Sequence, residues 1–133
     1  MATIKQLIEL NKKAFDSGFY IESCNLSLIL INKALKQVIT NDFKQEVIHQ
    51  KIKTNLLIKH IKTEINANGI FKTKISKKTI KDIELFLSLH KSINKELKFQ
   101  YPEKKIEDTA KLGISCVVIL NTSLQKIKNN KSE

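Results

Sequence analysis

Three histidines are the side chains best suited to acid–base or metal chemistry, and their positions separate them sharply. His49 and His60 are eleven residues apart. On a helix that spacing puts them on nearly one face, but about three turns, or ~16 Å, apart along the axis. They cannot share one metal ion within a chain. No Cys or His pair has zinc-like spacing either, so no metal or cofactor is expected. His90 is different: it sits between Phe86 and Ile93, at a position where the apolar rhythm calls for a hydrophobe. Such a histidine is either a core residue satisfied by a hydrogen bond or a polar group kept in a cleft for binding or chemistry. Carboxylates are scattered (Glu9, Glu22, Glu64, Asp82, Glu84, Glu96, Asp108), and none pairs with a histidine or serine at helical spacing. A glycine-rich phosphate loop and a nucleophile elbow are both missing. Cys24 and Cys116 lie in separate apolar stretches and read as small buried hydrophobes in a reducing compartment.

The second chemical signal is charge. The net charge is +11, and all 24 basic residues are lysine. Lysines can neutralise phosphates and release counterions. The densest run is Lys72, Lys74, Lys77, Lys78 and Lys81, with Phe71 beside it and no acid between Glu64 and Asp82. Together with Lys91 these residues are the candidate nucleic-acid contacts. The opposite reading is also open. Without arginine the bidentate fork of phosphate and guanine recognition is missing. A chain rich in lysine, isoleucine and asparagine can acquire its charge from AT-rich codon usage.

These residues need elements to hold them, and the pattern predicts an all-α protein. Few breakers (one proline, three glycines) favour long helices with short connections. A first helix is expected over Thr3–Phe15, ended by Asp16-Ser17-Gly18. A second runs from Phe19 to Thr40, with Ile21, Cys24, Leu28, Ile31, Leu35 and Val38 at steps of three and four. It carries no charge between Glu22 and Lys33, which marks it as central. A third is expected over Lys44–Asn66, with Ile48, Ile52, Leu56, Ile58, Ile61 and Ile65 inward. After a loop over 70–78 that could hold a strand-like segment, Ser76 or Thr79 can cap a fourth helix. Asp82 would lie in its first turn, and it would reach about Phe99. The fifth, Glu103–Lys128, includes Gly113, which suggests close approach by a neighbour. Residues 129–133 should form a frayed tail. The expected architecture is one domain over 1–133: an up-down antiparallel bundle of four long helices with the shorter first helix alongside.

Two patches resemble the HEPN (higher eukaryotes and prokaryotes nucleotide-binding) family. One is Asp16-Ser17-Gly18-Phe19-Tyr20-Ile21-Glu22-Ser23-Cys24 leading into Asn32-Lys33-Ala34-Leu35-Lys36. It is similar to the family's glycine–aromatic turn before a long helix. The other is Leu89-His90-Lys91-Ser92-Ile93-Asn94-Lys95-Glu96-Leu97. It resembles the place where active members carry an arginine, a polar residue, three variable residues and a histidine. Here His90 takes the arginine position and Lys95 the histidine position, so both signature residues are replaced. His90 and Lys95 also diverge by roughly 140° around a helix, whereas Asn94 shares the face of His90.

The resemblance implies a helical bundle that dimerises through its fourth helix. It also implies either metal-independent RNA cleavage or, where the motif is lost, a non-catalytic module that pairs with a nucleotidyltransferase or antitoxin-like partner. With the motif replaced, the expected function is non-catalytic binding of RNA, a nucleotide or such a partner. Two alternatives stand beside it: a ribonuclease rearranged around His90, Asn94 and Lys95 or Lys91, and a purely structural or protein-interaction bundle. The N-terminal stretch lacks the continuous apolar core of a signal peptide, and no run approaches the ~18 apolar residues of a membrane span. The expected location is the cytoplasm, away from membranes.

Overall fold

A computed structural model describes residues 3–43, 51–68, 75–96 and 103–131. It holds five helices: α1 (Ile4–Asp16), α2 (Tyr20–Phe43), α3 (Thr54–Asn68), α4 (Lys77–Glu96) and α5 (Glu103–Lys131). The all-α expectation is met, and the packing is antiparallel. α2 is central as expected, packed on α1, α3 and α5, while α4 packs on α5 and touches α3.

Local chemistry explains most helix ends. Thr3 caps α1: its hydroxyl accepts from the Gln6 amide at 3.1 Å, and the Gln6 side chain accepts from the Thr3 amide at 2.8 Å. α1 stops at Gly18, whose φ of 83° lies in the left-handed region, and the Phe19 amide donates back to the Ala14 carbonyl at 2.8 Å. Of the two capping candidates for α4, Ser76 is the cap: its hydroxyl accepts from the Thr79 amide at 3.1 Å. Asp82 therefore falls in the second turn, not the first, and no acid lies in the first. α5 continues to Lys131, past the expected end at Lys128.

The largest departure is α3. Residues 51–53 are not helical, so the helix expected from Lys44 begins at Thr54 instead. The reason is tertiary. Asn32 of α2 donates its amide to the Ile52 carbonyl and to the Thr54 hydroxyl, both at 2.9 Å. That bond holds Ile52 in a non-helical backbone and sets where the helix can start. The register shifts accordingly: Leu57 is buried, whereas Leu56, expected inward, is 53% exposed. Residues 44–50, 69–74, 97–102 and the end of the chain lie outside the described set, and with them His49, most of the 70–78 loop and Phe99.

The core runs along the α2–α5 seam, built from Cys24, Ile31, Leu35 and Val38 of α2 against Ala110, Cys116, Val117 and Leu120 of α5. Gly113 meets the expectation of close approach. A methyl group there would lie 2.7 Å from the Phe86 ring and 2.9 Å from Ser27 Cβ and Oγ, so α2, α4 and α5 converge on it. Burial of Ser23 and Ser27 is compensated from α1. Ser23 Oγ donates to Asn11 Oδ1 at 2.5 Å, and Asn11 Nδ2 donates to Ser27 Oγ at 2.8 Å. Both cysteines are free and buried, as expected. Desolvation pushes Cys24 up to about 11 and Cys116 to about 12, the latter helped by the negative charge of Asp82. Neither thiol is a nucleophile at neutral pH.

Candidate functional site: a lysine-rimmed groove

α2, the start of α3 and the second half of α4 do not close on one another. Between them lies an open groove of about 1260 Å³. Its floor is apolar, formed by Leu28 and Ile29 of α2 and Leu87 of α4, with Ile4 of α1 at one end. Its rim carries Lys33 and Lys36 from α2, Lys53 from the lead into α3, and Lys91 from α4. Among the described residues no carboxylate lines it. None of the four lysines forms an ion pair with a described residue, whereas Lys62 pairs with Glu84, Lys104 with Asp108 and Lys111 with Glu107.

Each rim lysine has an identifiable positioner. Lys33 and Lys36 are one turn apart on α2, beside the buried Ile31 and Leu35 that fix the rotation of the helix. Lys53 is delivered by the grip of Asn32 on Ile52 and Thr54. Its backbone carbonyl accepts from the amides of Leu56 and Leu57 at 3.0 and 3.2 Å, so it opens α3. The amino end of α3, with Thr54 and Asn55 also lining the groove, adds the positive pole of its dipole to the lysine field. Lys91 is exposed one residue beyond His90.

His90 itself is buried in the wall of the groove, its ring 5.9 Å from that of Phe86. Its Nε2 lies 2.8 Å from Asn25 Oδ1, and its Nδ1 lies 3.4 Å from Asn94 Nδ2. An amide oxygen only accepts, so the arrangement assigns the proton to Nε2 and leaves Nδ1 as acceptor. Desolvation lowers its pKa below the usual 6.5, which keeps the ring neutral. Both nitrogens are thus occupied by amides, and neither meets a carboxylate or a nucleophile. The imidazole bridges α4 to α2.

Sequence-predicted site residues divide three ways. His90 and Asn94 come together as their spacing suggested, and Lys91 reaches the groove. Lys95 is exposed and makes no contact with His90, as the angular argument required. Lys77, Lys78 and Lys81 are exposed on the first turns of α4 and do not line the groove, while Lys72 and Lys74 lie outside the described residues. Sequence reasoning missed Lys33, Lys36 and Lys53. Their only signal was indirect: α2 carries its first charges after a long neutral run where it leaves the interior. Among the described residues no cluster of three or more potential metal ligands exists, and no helix is long and apolar enough to cross a membrane.

No family model matches this chain, and no curated protein or solved structure shows significant similarity to it. The class defined by fold and site is therefore that of a small all-helical, five-helix protein with a cationic groove.

Proposed function

We propose that this chain is a non-catalytic binding module whose working surface is the lysine-rimmed groove and whose ligand is an anionic macromolecule. The observation that carries the reading is the groove's composition: among the described residues, four lysines and no carboxylate stand around an apolar floor. Clustering unpaired cations raises the free energy of the unliganded protein and is relieved by an anionic ligand. The non-catalytic part rests on His90, whose ring nitrogens are both engaged by amides. The HEPN resemblance points the same way, since members without the motif serve as binding modules or nucleotidyltransferase partners.

RNA is a second reading, supported by a separate observation, most of it outside the groove. Lys77, Lys81, Lys91 and Lys95 share one outward stripe of α4, and Glu84 on that stripe is neutralised by Lys62 at 2.9 Å. Such a stripe could follow a phosphate backbone into the groove.

The test is titration of a fluorescein-labelled single-stranded RNA by anisotropy at several salt concentrations, for the native protein and for Lys33→Gln/Lys36→Gln/Lys53→Gln/Lys91→Gln. With single strands each phosphate contact contributes about 0.7 to the slope of log K against log salt. The variant should lose affinity and flatten that slope by up to about 3. Identical curves for the two proteins would sink the groove as the anion site. The same samples on a denaturing gel should show intact RNA; cleavage abolished by His90→Ala would make the protein a ribonuclease instead.

A further inference from the structure

The outer side of α2 carries a second regular stripe, opposite its core stripe. Glu22, Leu26, Ile29, Lys33 and Lys36 follow steps of four, three, four and three. Two concavities meet on this stripe at Ile29. One is the lysine-rimmed groove; the other is a hollow of about 530 Å³ between α1 and α2, lined by Leu10, Lys13, Phe19 and Leu26 among others. Together they form one trough along α2 from Phe19 to Lys36, about 26 Å long at helical rise. Four side chains expose large apolar surface in it: Ile4, Leu10, Phe19 and Ile29, at 39%, 50%, 60% and 46%. Around them stand Lys13, Lys33, Lys36, Lys53 and Lys91, against a single carboxylate among the described residues, Glu22.

We infer that this trough takes an acidic amphipathic helix of a partner protein, with leucine- or isoleucine-type side chains at i, i+3, i+4 and i+7 facing the floor and carboxylates facing the lysine rim. The inference rests on the groove being the working surface, and it names the occupant. The length suits four to five helical turns. The apolar floor is what a helix can cover and a sugar-phosphate backbone cannot, and among the described residues the ring in the groove itself is that of His90, buried in the wall and not open for a base to stack on. A second copy of this chain fits poorly: its own trough is concave at the same place, and lysines would meet lysines on a chain of net charge +11. A single anionic headgroup would leave most of the trough and most of its lysines unused.

The experiment uses three fluorescein-labelled 18-residue peptides. The first is helical, with Leu and Ile on one face and Glu on the rest; the second is a scramble of identical composition; the third replaces Glu by Gln on the same helical pattern. Each is titrated by anisotropy into the full chain, with single-stranded RNA as a separate arm. The patterned acidic peptide should bind at least tenfold more tightly than either control. Ile29→Asp should weaken it at least tenfold, and the four-lysine Gln variant at least thirtyfold. Ile119→Asp, on an exposed part of α5 outside the trough, should leave it within twofold and controls for folding. Equal binding of scramble and pattern, or no response to Ile29→Asp, would overturn the helix and leave a polyanion surface. RNA binding that depends on the four lysines, with no peptide binding, would overturn this inference and keep the proposed function. Failure of both arms would overturn the two together.

Discussion

The two sides of α2 differ as much as two proteins might. Toward α5, Ile31 is fully buried, and the seam is so tight that Gly113 leaves no room for a methyl group against Phe86 and Ser27. Two residues earlier, Ile29 is 46% exposed in an open trough edged by unpaired lysines. The first side is closed by complementary shapes within the chain, down to the Asn11 bonds that satisfy Ser23 and Ser27. Among the described residues, the second has an apolar floor without a cover and cations without ion-pair partners. A surface optimised only for stability would not combine those two features. The contrast separates what holds this protein together from the surface proposed to bind.

Perturbing each side should therefore have opposite signatures. The largest effect belongs to the seam. Phe86→Ala empties a fully buried ring site and should cost about 3–5 kcal/mol in urea unfolding, enough to leave a small domain barely folded. Gly113→Ala comes next. Its methyl group would have to displace Phe86 and Ser27, at about 1–3 kcal/mol, partly offset by up to ~1 kcal/mol of improved helix propensity. A gain in midpoint for this variant would show that the three helices can part at no expense, contrary to the tight seam.

His90 belongs to both sides, and its prediction is a pH profile. A histidine held neutral by burial gains its proton more readily in the unfolded chain. Its contribution is intact above the ordinary pKa of 6.5 and is lost as pH falls below that value toward the depressed folded pKa. Protonation would also remove the Nδ1 lone pair that accepts from Asn94. Stability measured by denaturant should decline below about pH 6.5, and His90→Gln should flatten the decline. A profile unchanged by that substitution would mean that other groups set it. The smallest effect is expected in the trough. Replacing Lys33, Lys36, Lys53 and Lys91 by Gln should leave the unfolding midpoint within about 0.5 kcal/mol per site of the native value, or raise it as repulsion is relieved. Marked destabilisation would make these lysines structural and remove the contrast between the two sides.

Much of the seam was legible in the sequence. The steps of three and four in α2, the neutral run from Ser23 to Asn32, the polar intrusion of His90 and the glycine inside α5 all pointed to where those residues lie. Such features are local, because helix periodicity writes burial directly into spacing. α3 was misread because its true start is not local. The apolar rhythm runs through Ile48, Ile52 and Leu56 without a breaker, and it is a side chain twenty positions away, Asn32, that holds Ile52 out of the helix and sets its start at Thr54. The groove was illegible for a related reason. Sequence density drew attention to the lysines around 72–81, whereas the converging cations are two on α2, one before α3 and one on α4. Density along a chain measures local charge; a binding surface depends on which distant charges the fold brings together.

The partnership of Ser27 with Gly113 has a consequence for how the molecule is made. The close approach of Ser27 to Gly113 joins α2 to α5, with the whole of α3 and α4 between them in sequence. Closing so long a loop is entropically slow, and the apolar stripe of α2 has no proper cover until α5 has left the ribosome. During synthesis the central helix waits with its most hydrophobic side open. Nascent chains of this protein therefore present a prolonged target for chaperones, and folding completes late and abruptly instead of helix by helix.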